Sequence, residues 1–453
     1  DHAAFVFLLS KSYLVVSSRR GVTDTRRHLS KSQEDQMSPM MNQARGVRAW
    51  KLSGIPLFCI AIVAWATVCI PASAQPGRGV STDISYHVSR GGLANCARVF
   101  TRTKAGRVAF LGGSITENPG WRDSVSAYLR QRFPGTSFEF IAAGIASTGS
   151  TPGAFRLQRD VLGKGKVDLL FEEAAVNDAT NGFPPEEQIR GMEGIVRHAR
   201  LANPAMDIVV MCFVDPEKMA SYRKGIVPAE IRMHDSVAAH YDVPMLDLAR
   251  EVTARIDRGE FTWEGDFKDL HPSPFGQELY YRSIRRLLEA CWHGIDLHVP
   301  PAGYPLPEPL DRDSYFHGDY ADIRIASRGE GWSIVECWRP QDGTETRKGF
   351  VDVPVLEALK PGAELTVPFA GNAVGICVAA GKDAGVIEFA VDGGAFRKQN
   401  LFTPWSAGLH LPWYYVLESA LPQGSHVLRL RISADRDPRS TGHACRIVHI
   451  LVN

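Results

Sequence analysis

Residues 107–116 read RVAFLGGSIT, and this stretch decides the fold. Val108-Ala109-Phe110-Leu111 is an uninterrupted apolar run of the kind buried on both faces of a parallel sheet, and it stops at Gly112-Gly113 before Ser114. A glycine pair lets the backbone turn sharply and pass close to a ligand. Ser114 is then presented at the carboxyl end of the strand, where open α/β sheets carry their sites. Ser114 is the first candidate nucleophile, although Gly-Gly-Ser taken alone is equally a plain turn after a strand.

Outward from this stretch, strands and helices alternate. An amphipathic helix is predicted over 121–133, ended by Pro134-Gly135; a strand over 138–143 leads to Gly144, and a helix follows from about residue 154. A third strand is predicted over 167–176. Pro184-Pro185-Glu186-Glu187 opens a helix whose Ile189, Met192, Ile195 and Ala199 recur at helical spacing. A fourth strand over 207–214, a helix over 229–240, a short strand over 243–246 and a last helix from about residue 276 complete the series. The alternation implies a parallel sheet covered by helices on both faces, a three-layer α/β/α domain.

The segment 298–312 carries Pro300, Pro301, Pro305, Pro307 and Pro309, which suit neither a helix nor a central strand, so it is read as a linker. Beyond it the period changes to that of strands. Val386 to Val391 followed by Asp392-Gly393-Gly394 reads as a strand entering a hairpin turn, and HVLRLRI at 426–432 alternates like a half-buried strand. Residues 313–453 are therefore expected to form an all-β sandwich or jelly roll, after an α/β domain over 75–297.

The first 74 residues read as upstream sequence and a secretory signal. Met37, Met40 and Met41 are candidate starts; Arg45, Arg48 and Lys51 precede an apolar run over 55–70 and then Pro71-Ala72-Ser73-Ala74. That order fits a signal peptide cleaved after Ala74 and a secreted or periplasmic protein, with a single membrane anchor as the alternative. The whole chain has 453 residues, 44% hydrophobic and 22% charged, with a formal net charge of +1. So even a balance argues against nucleic acid or an anionic membrane as partner. No phosphate-binding loop, dinucleotide fingerprint or metal-ligand spacing occurs, and no cofactor or metal is implied. Cys96, Cys212, Cys291, Cys337, Cys377 and Cys445 remain after cleavage, and their pairing cannot be read from spacing.

Four short segments fall at strand ends or loops that a parallel sheet brings together: Gly112-Gly113-Ser114, Gly144-Ile145-Ala146-Ser147, Val176-Asn177-Asp178 and Asp269-Leu270-His271-Pro272. As an ordered set they resemble the SGNH hydrolases of the GDSL esterase superfamily, over roughly 107–292. The resemblance implies a flavodoxin-like parallel sheet, with Ser114 the nucleophile and His271 its base. It also implies that the Ser114 N–H, the Gly144 N–H and the Asn177 amide form the oxyanion hole. The family's acid usually stands three residues before the histidine, where this chain has Lys268; Asp269 is the preferred acid and Asp266 the second, and some relatives use a Ser-His dyad. Ala175 stands where the family commonly has Gly.

Trp121 and Arg122 are candidates to line the substrate site, with a half-buried helix start as the alternative for Trp121. Glu172-Glu173, inside a strand, are expected to form an ion pair with Arg156 or Arg159. Trp332, Trp338, Trp405, Trp413, Tyr414 and Tyr415 form either a sandwich core or a sugar-stacking platform. The resemblance and this layout imply a secreted serine esterase that removes acyl groups, acetyl above all, from poly- or oligosaccharide. The alternatives are a lipid or thioester acyl hydrolase and a non-catalytic carbohydrate-binding protein with a vestigial site.

Overall fold

Strand β1 (His87–Val88) and helix α1 (Ala94–Thr103) come first in the computed structural model, which describes residues 86–453. The expected leader and its cleavage point lie outside the described residues. Next are β2 (Ala105–Gly112), α2 (Ser114–Glu117), α3 (Trp121–Arg132), β3 (Ser137–Gly144), α4 (Ser150–Asp160), β4 (Leu169–Glu173), α5 (Ala175–Thr180) and α6 (Pro185–Ala202). The α/β part is completed by β5 (Asp207–Cys212), α7 (Pro216–Arg223), α8 (Ala229–His240), β6 (Met245–Asp247), α9 (Leu248–Asp257) and α10 (Pro274–Trp292).

The strand order is β1-β6-β5-β4-β2-β3, with every pair parallel except the antiparallel edge β1–β6. Without that edge, the order is that of flavodoxin-type sheets. The strand order reverses at β2, whose parallel neighbours β3 and β4 lie on opposite sides, so the crevice at its carboxyl end is the natural ligand position. Helices α4, α6 and α8 pack in one row, and α3, α10 and α1 in another. Val108 to Leu111 are all buried, as are all five residues of β4 and all six of β5.

The structure differs from the sequence expectation in places with a common cause. The third strand ends at Glu173, not at residue 176, and Ala175 already begins α5. An apolar run is buried equally in a strand or a short inner helix, so periodicity does not mark the change. Helices α1, α7 and α9 were not anticipated. Two carried a start signal: Asp215 and Asp247 cap α7 and α9 by accepting from the N–H of Lys218 and Arg250.

After α10 the chain crosses the α/β surface as a fastened strap. Ala302 N–H donates to Asn95, Tyr304 N–H to the Pro204 carbonyl, and Leu310 and Asp311 N–H to the buried Glu193 carboxylate. The β part comprises β7 (Asp319–Ala321), β8 (Ser327–Arg328), β9 (Trp332–Trp338), β10 (Glu345–Thr346), β11 (Val353–Ala358) and β12 (Glu364–Gly371). It continues with β13 (Val374–Ala380), β14 (Val386–Val391), β15 (Arg397–Asn400), β16 (Leu409–Glu418), β17 (Gly424–Ile432) and β18 (Cys445–Val452). The hairpin after β14 forms with Asp392 and Gly393 both at positive φ.

These strands make two sheets, ordered β10-β16-β13-β18-β11-β9, with β7 also on β18, and β15-β14-β17-β12-β8. Their burial patterns show how they lie. Strand β12 of the smaller sheet alternates between buried and more exposed residues, whereas β13 is buried at every residue. Along β13, Val374, Ile376 and Val378 face the sandwich interior while Cys377 and Ala379 join the core of the α/β part. The larger sheet is thus covered on both faces. At this junction Arg159 of α4 lies over the Tyr320 ring, 4.6 Å from its centroid, and bonds His449 at 2.8 Å.

Candidate active site

Ser114 begins α2, directly after β2, and its Oγ lies 2.7 Å from Nε2 of His271. The two residues are 157 positions apart. His271 stands in a loop fixed at both ends. Upstream, a π-helical turn, Trp263–Phe267, is closed by Asp266, which accepts from the Thr262 N–H and hydroxyl. Downstream, Ser273 caps α10 and its hydroxyl donates to the Asp266 carbonyl. Between them Lys268 takes φ +88°, a strained backbone that turns the chain toward Ser114.

The two candidate acids are placed differently from a tight triad. Asp266 is engaged with Thr262. The Asp269 carboxylate lies 4.0 Å from His271 Nδ1, beyond hydrogen-bond distance, and instead accepts the His271 backbone N–H at 2.6 Å. With Asp269 68% exposed, solvent screens its charge at the ring.

The glycines of the nucleophile turn are required by close approach. Neither Gly112 nor Gly113 takes positive φ, but a Cβ on Gly113 would lie 2.0 Å from Asn177 Oδ1, and one on Gly112 would lie 2.4 Å from Glu173 Oε1. The same Glu173 oxygen accepts the Gly113 N–H at 2.7 Å and the Thr116 hydroxyl at 2.8 Å. Burial pushes the Glu173 carboxyl up to about 7, with those two hydrogen bonds opposing the shift. Glu172, buried beside it, is pushed well above the usual range by burial and by Glu173.

The expected ion pair with these glutamates does not form. Arg156 donates to the carbonyls of Gly112 and Ala143 at the ends of β2 and β3 and pairs with Asp160, while Arg159 pairs with Asp160. Two carbonyls at adjacent strand ends offer the guanidinium a fixed fork that a flexible carboxylate does not have to supply.

Gly144 ends β3 with its Cα against the backbone of α2, where a Cβ would lie 2.3 Å from the Glu117 nitrogen. The residues of this segment that line the cleft are Ala146 and Ser147, the latter at φ +70°. Neighbouring turn amides are engaged: Ile145 N–H with Gly112 O, Ala146 N–H with Glu117, Ser150 N–H with Asp178. Among the described residues the Ser147 N–H has no such partner. Asp178, next to Asn177, is fully buried and also lies 2.8 Å from His234.

Ser114, Ser147, Asn177 and His271 share a cleft of about 580 Å³. Its far wall belongs to the β part, from which Arg347, Trp405 and Leu409 enter. Sequence reading named Trp405 only among the aromatics, Ser147 only as the end of the Gly144 segment and Glu173 only as an ion-pair partner, and it did not name Arg347. Trp121 is outside the cleft, fully buried against Phe110, Phe171 and Phe213, and Arg122 folds back on the carbonyls of Thr116 and Glu117. Of the other aromatics, Trp332, Trp338 and Tyr414 are core, and Trp413 and Tyr415 pack partly buried on the sandwich interior.

Residues 110–279 match the GDSL-like Lipase/Acylhydrolase family. Within the α/β part, residues 110–279 therefore form a GDSL-like lipase/acylhydrolase domain. The two-part architecture is that of a two-domain esterase (CEX) active on acetylated mannans, solved co-crystallized with mannopentaose. That structure is 22% identical, with TM-score 0.62, 80% of this chain and 96% of the other being covered. A second structure of a two-domain esterase (CEX) active on acetylated mannans gives the same identity and TM-score over 81% and 97%. No curated protein matches the chain.

Proposed function

We propose that the protein is an exported serine esterase that removes acetyl groups from polysaccharide through a Ser114–His271 pair. The single observation that carries this reading is the 2.7 Å bond between Ser114 Oγ and His271 Nε2 at the switch point of the sheet. A hydroxyl is a poor nucleophile until a base takes its proton. His271 takes that proton as Ser114 attacks the ester carbonyl, and returns it to the departing sugar oxygen. Water, deprotonated by His271, then attacks the acyl-enzyme; acetate is released and His271 passes the proton to the departing Ser114 Oγ. The N–H groups of Ser114 and Ser147 and the Asn177 side-chain amide are the donors assigned to the oxyanion. Asp269 acts on His271 through its backbone N–H, so the reaction rests on a dyad.

A mixed polar and aromatic cleft open to solvent suits a sugar ester better than a long acyl chain. Among the described residues no helix is long and apolar enough to cross a membrane. Because the similar two-domain esterase acts on acetylated mannans, an acetylated mannan is the first substrate to test. Acetate release by the wild type and its loss in Ser114→Ala are expected. Preference for nitrophenyl esters longer than about four carbons would point to a lipid acyl hydrolase instead.

A further inference from the structure

The cleft wall opposite the nucleophile is built by two loops of the β part, and their residues are not spent on the core. Trp405 is 45% exposed, while Trp332, Trp338 and Tyr414 are buried. Its turn is rigid: Trp405 N–H donates to the Thr403 hydroxyl, the Ser406 hydroxyl to the Ala380 carbonyl, and the Gly408 and Leu409 N–H groups to the Trp405 carbonyl. Arg347 comes from the other loop. Its Nη2 donates to Ser147 Oγ at 3.2 Å, while its Nε is buried with no hydrogen-bond partner. Arg347 lines the cleft, and among the described residues its guanidinium gives only one N–H, that of Nη2, to a protein acceptor there, which leaves donors for a ligand in the cleft.

The two loops are locked to each other. β10 pairs with β16 in the register Glu345↔Leu409 and Thr346↔His410, and the Thr346 hydroxyl donates to the His410 carbonyl at 2.6 Å. Arg347 follows β10 directly and Leu409 begins β16, so the donor and the indole move as one wall. An indole face takes the C–H face of a pyranose, and a fixed N–H beside it takes a ring or hydroxyl oxygen.

We propose that Trp405 and Arg347 form the sugar-recognition wall of this active site. Trp405 stacks on the pyranose that bears the ester, and Arg347 donates to an oxygen of that same ring. The β part is then a component of the active site and not a separate binding module. The inference rests on the esterase reading and deepens it by naming what the enzyme grips.

The test compares kcat/KM on an acetylated mannooligosaccharide with kcat/KM on 4-nitrophenyl acetate, which has no sugar, for the full chain and for Trp405→Ala and Arg347→Gln, with thermal melts to confirm folding. The ratio of sugar ester to aryl ester is expected to fall about tenfold or more in each variant, with KM for the sugar ester carrying the loss. A ratio within about threefold of wild type in both folded variants overturns the proposal. So does a Trp405→Ala variant that loses only a preference for long acyl chains. If Ser114→Ala keeps full activity, the esterase reading fails; if Ser114→Ala is inactive and the ratios hold, only this inference fails. A wild type inactive on every acetylated oligosaccharide removes the substrate class and the wall together.

Discussion

Glu173, buried in β4, accepts the backbone N–H of Gly113 at 2.7 Å, one residue before the nucleophile position. Its second donor, the Thr116 hydroxyl, lies two residues beyond Ser114, so one carboxylate oxygen ties both ends of the turn. Removing that acceptor leaves a buried N–H and hydroxyl unpaired, at about 1–3 kcal/mol each. Glu173→Leu is expected to lower kcat about tenfold or more, whereas Glu173→Gln, which keeps the accepting oxygen, restores most of it. Steady-state kinetics on both variants checks this; equal losses in Leu and Gln would show that the charge matters and the acceptor does not.

The same residue makes stability depend on pH. Its carboxyl, ordinarily near 4.5, titrates at about 7 in the fold. Between those values the folded chain keeps a proton that the unfolded chain has lost, so stability falls as pH rises through that window and levels off above it. A shift of this size corresponds to about 3 kcal/mol. Urea midpoints measured at about pH 5 and about pH 7.5 are expected to differ less for Glu173→Gln than for wild type. Parallel curves would assign the dependence elsewhere.

Asn177 is half-buried at the start of α5, with its amide oxygen against Gly113. Asn177→Ala is expected to cut kcat about 100- to 1,000-fold, the cost of one oxyanion donor, with little change in melting temperature. A small loss in kcat would remove Asn177 from the oxyanion hole.

Because Asp269 stands 4.0 Å from the ring nitrogen of His271 and is mostly exposed, its charge has modest leverage. Asp269→Ala is expected to reduce kcat by about tenfold or less, against losses of about 1,000-fold or more for His271→Ala. Comparable losses would show that Asp269 closes onto Nδ1 in the working enzyme and completes a triad.

Gly144→Ala places a methyl 2.3 Å from the Glu117 nitrogen, a backbone atom that cannot move without α2. Loss of both activity and thermal stability is expected, since Ser114 opens that helix. Retained activity with normal stability would mean that α2 tolerates a shift at its carboxyl end.

The sequence by itself determined the alternation of apolar runs and amphipathic segments, the change of period after the proline-rich segment, and the strand-end position of Ser114; Asn177, expected at a strand end, lies in α5. Period and turn chemistry are local, so they are written in a few neighbouring residues. The tertiary structure alone decided which side chains meet. Glu173 beneath Gly113, Ser147 rather than Gly144 facing the cleft, Asp269 on the His271 backbone N–H, and Arg347 and Trp405 closing the far wall all depend on loop paths and on the docking of two parts. Apart from the Asp269–His271 bond, which spans two residues, those relations join residues from 60 to almost 300 positions apart, or fix a φ angle within one turn, and are set by packing. The serine was legible because a strand must end somewhere; what surrounds it follows from which other segments end at the same place.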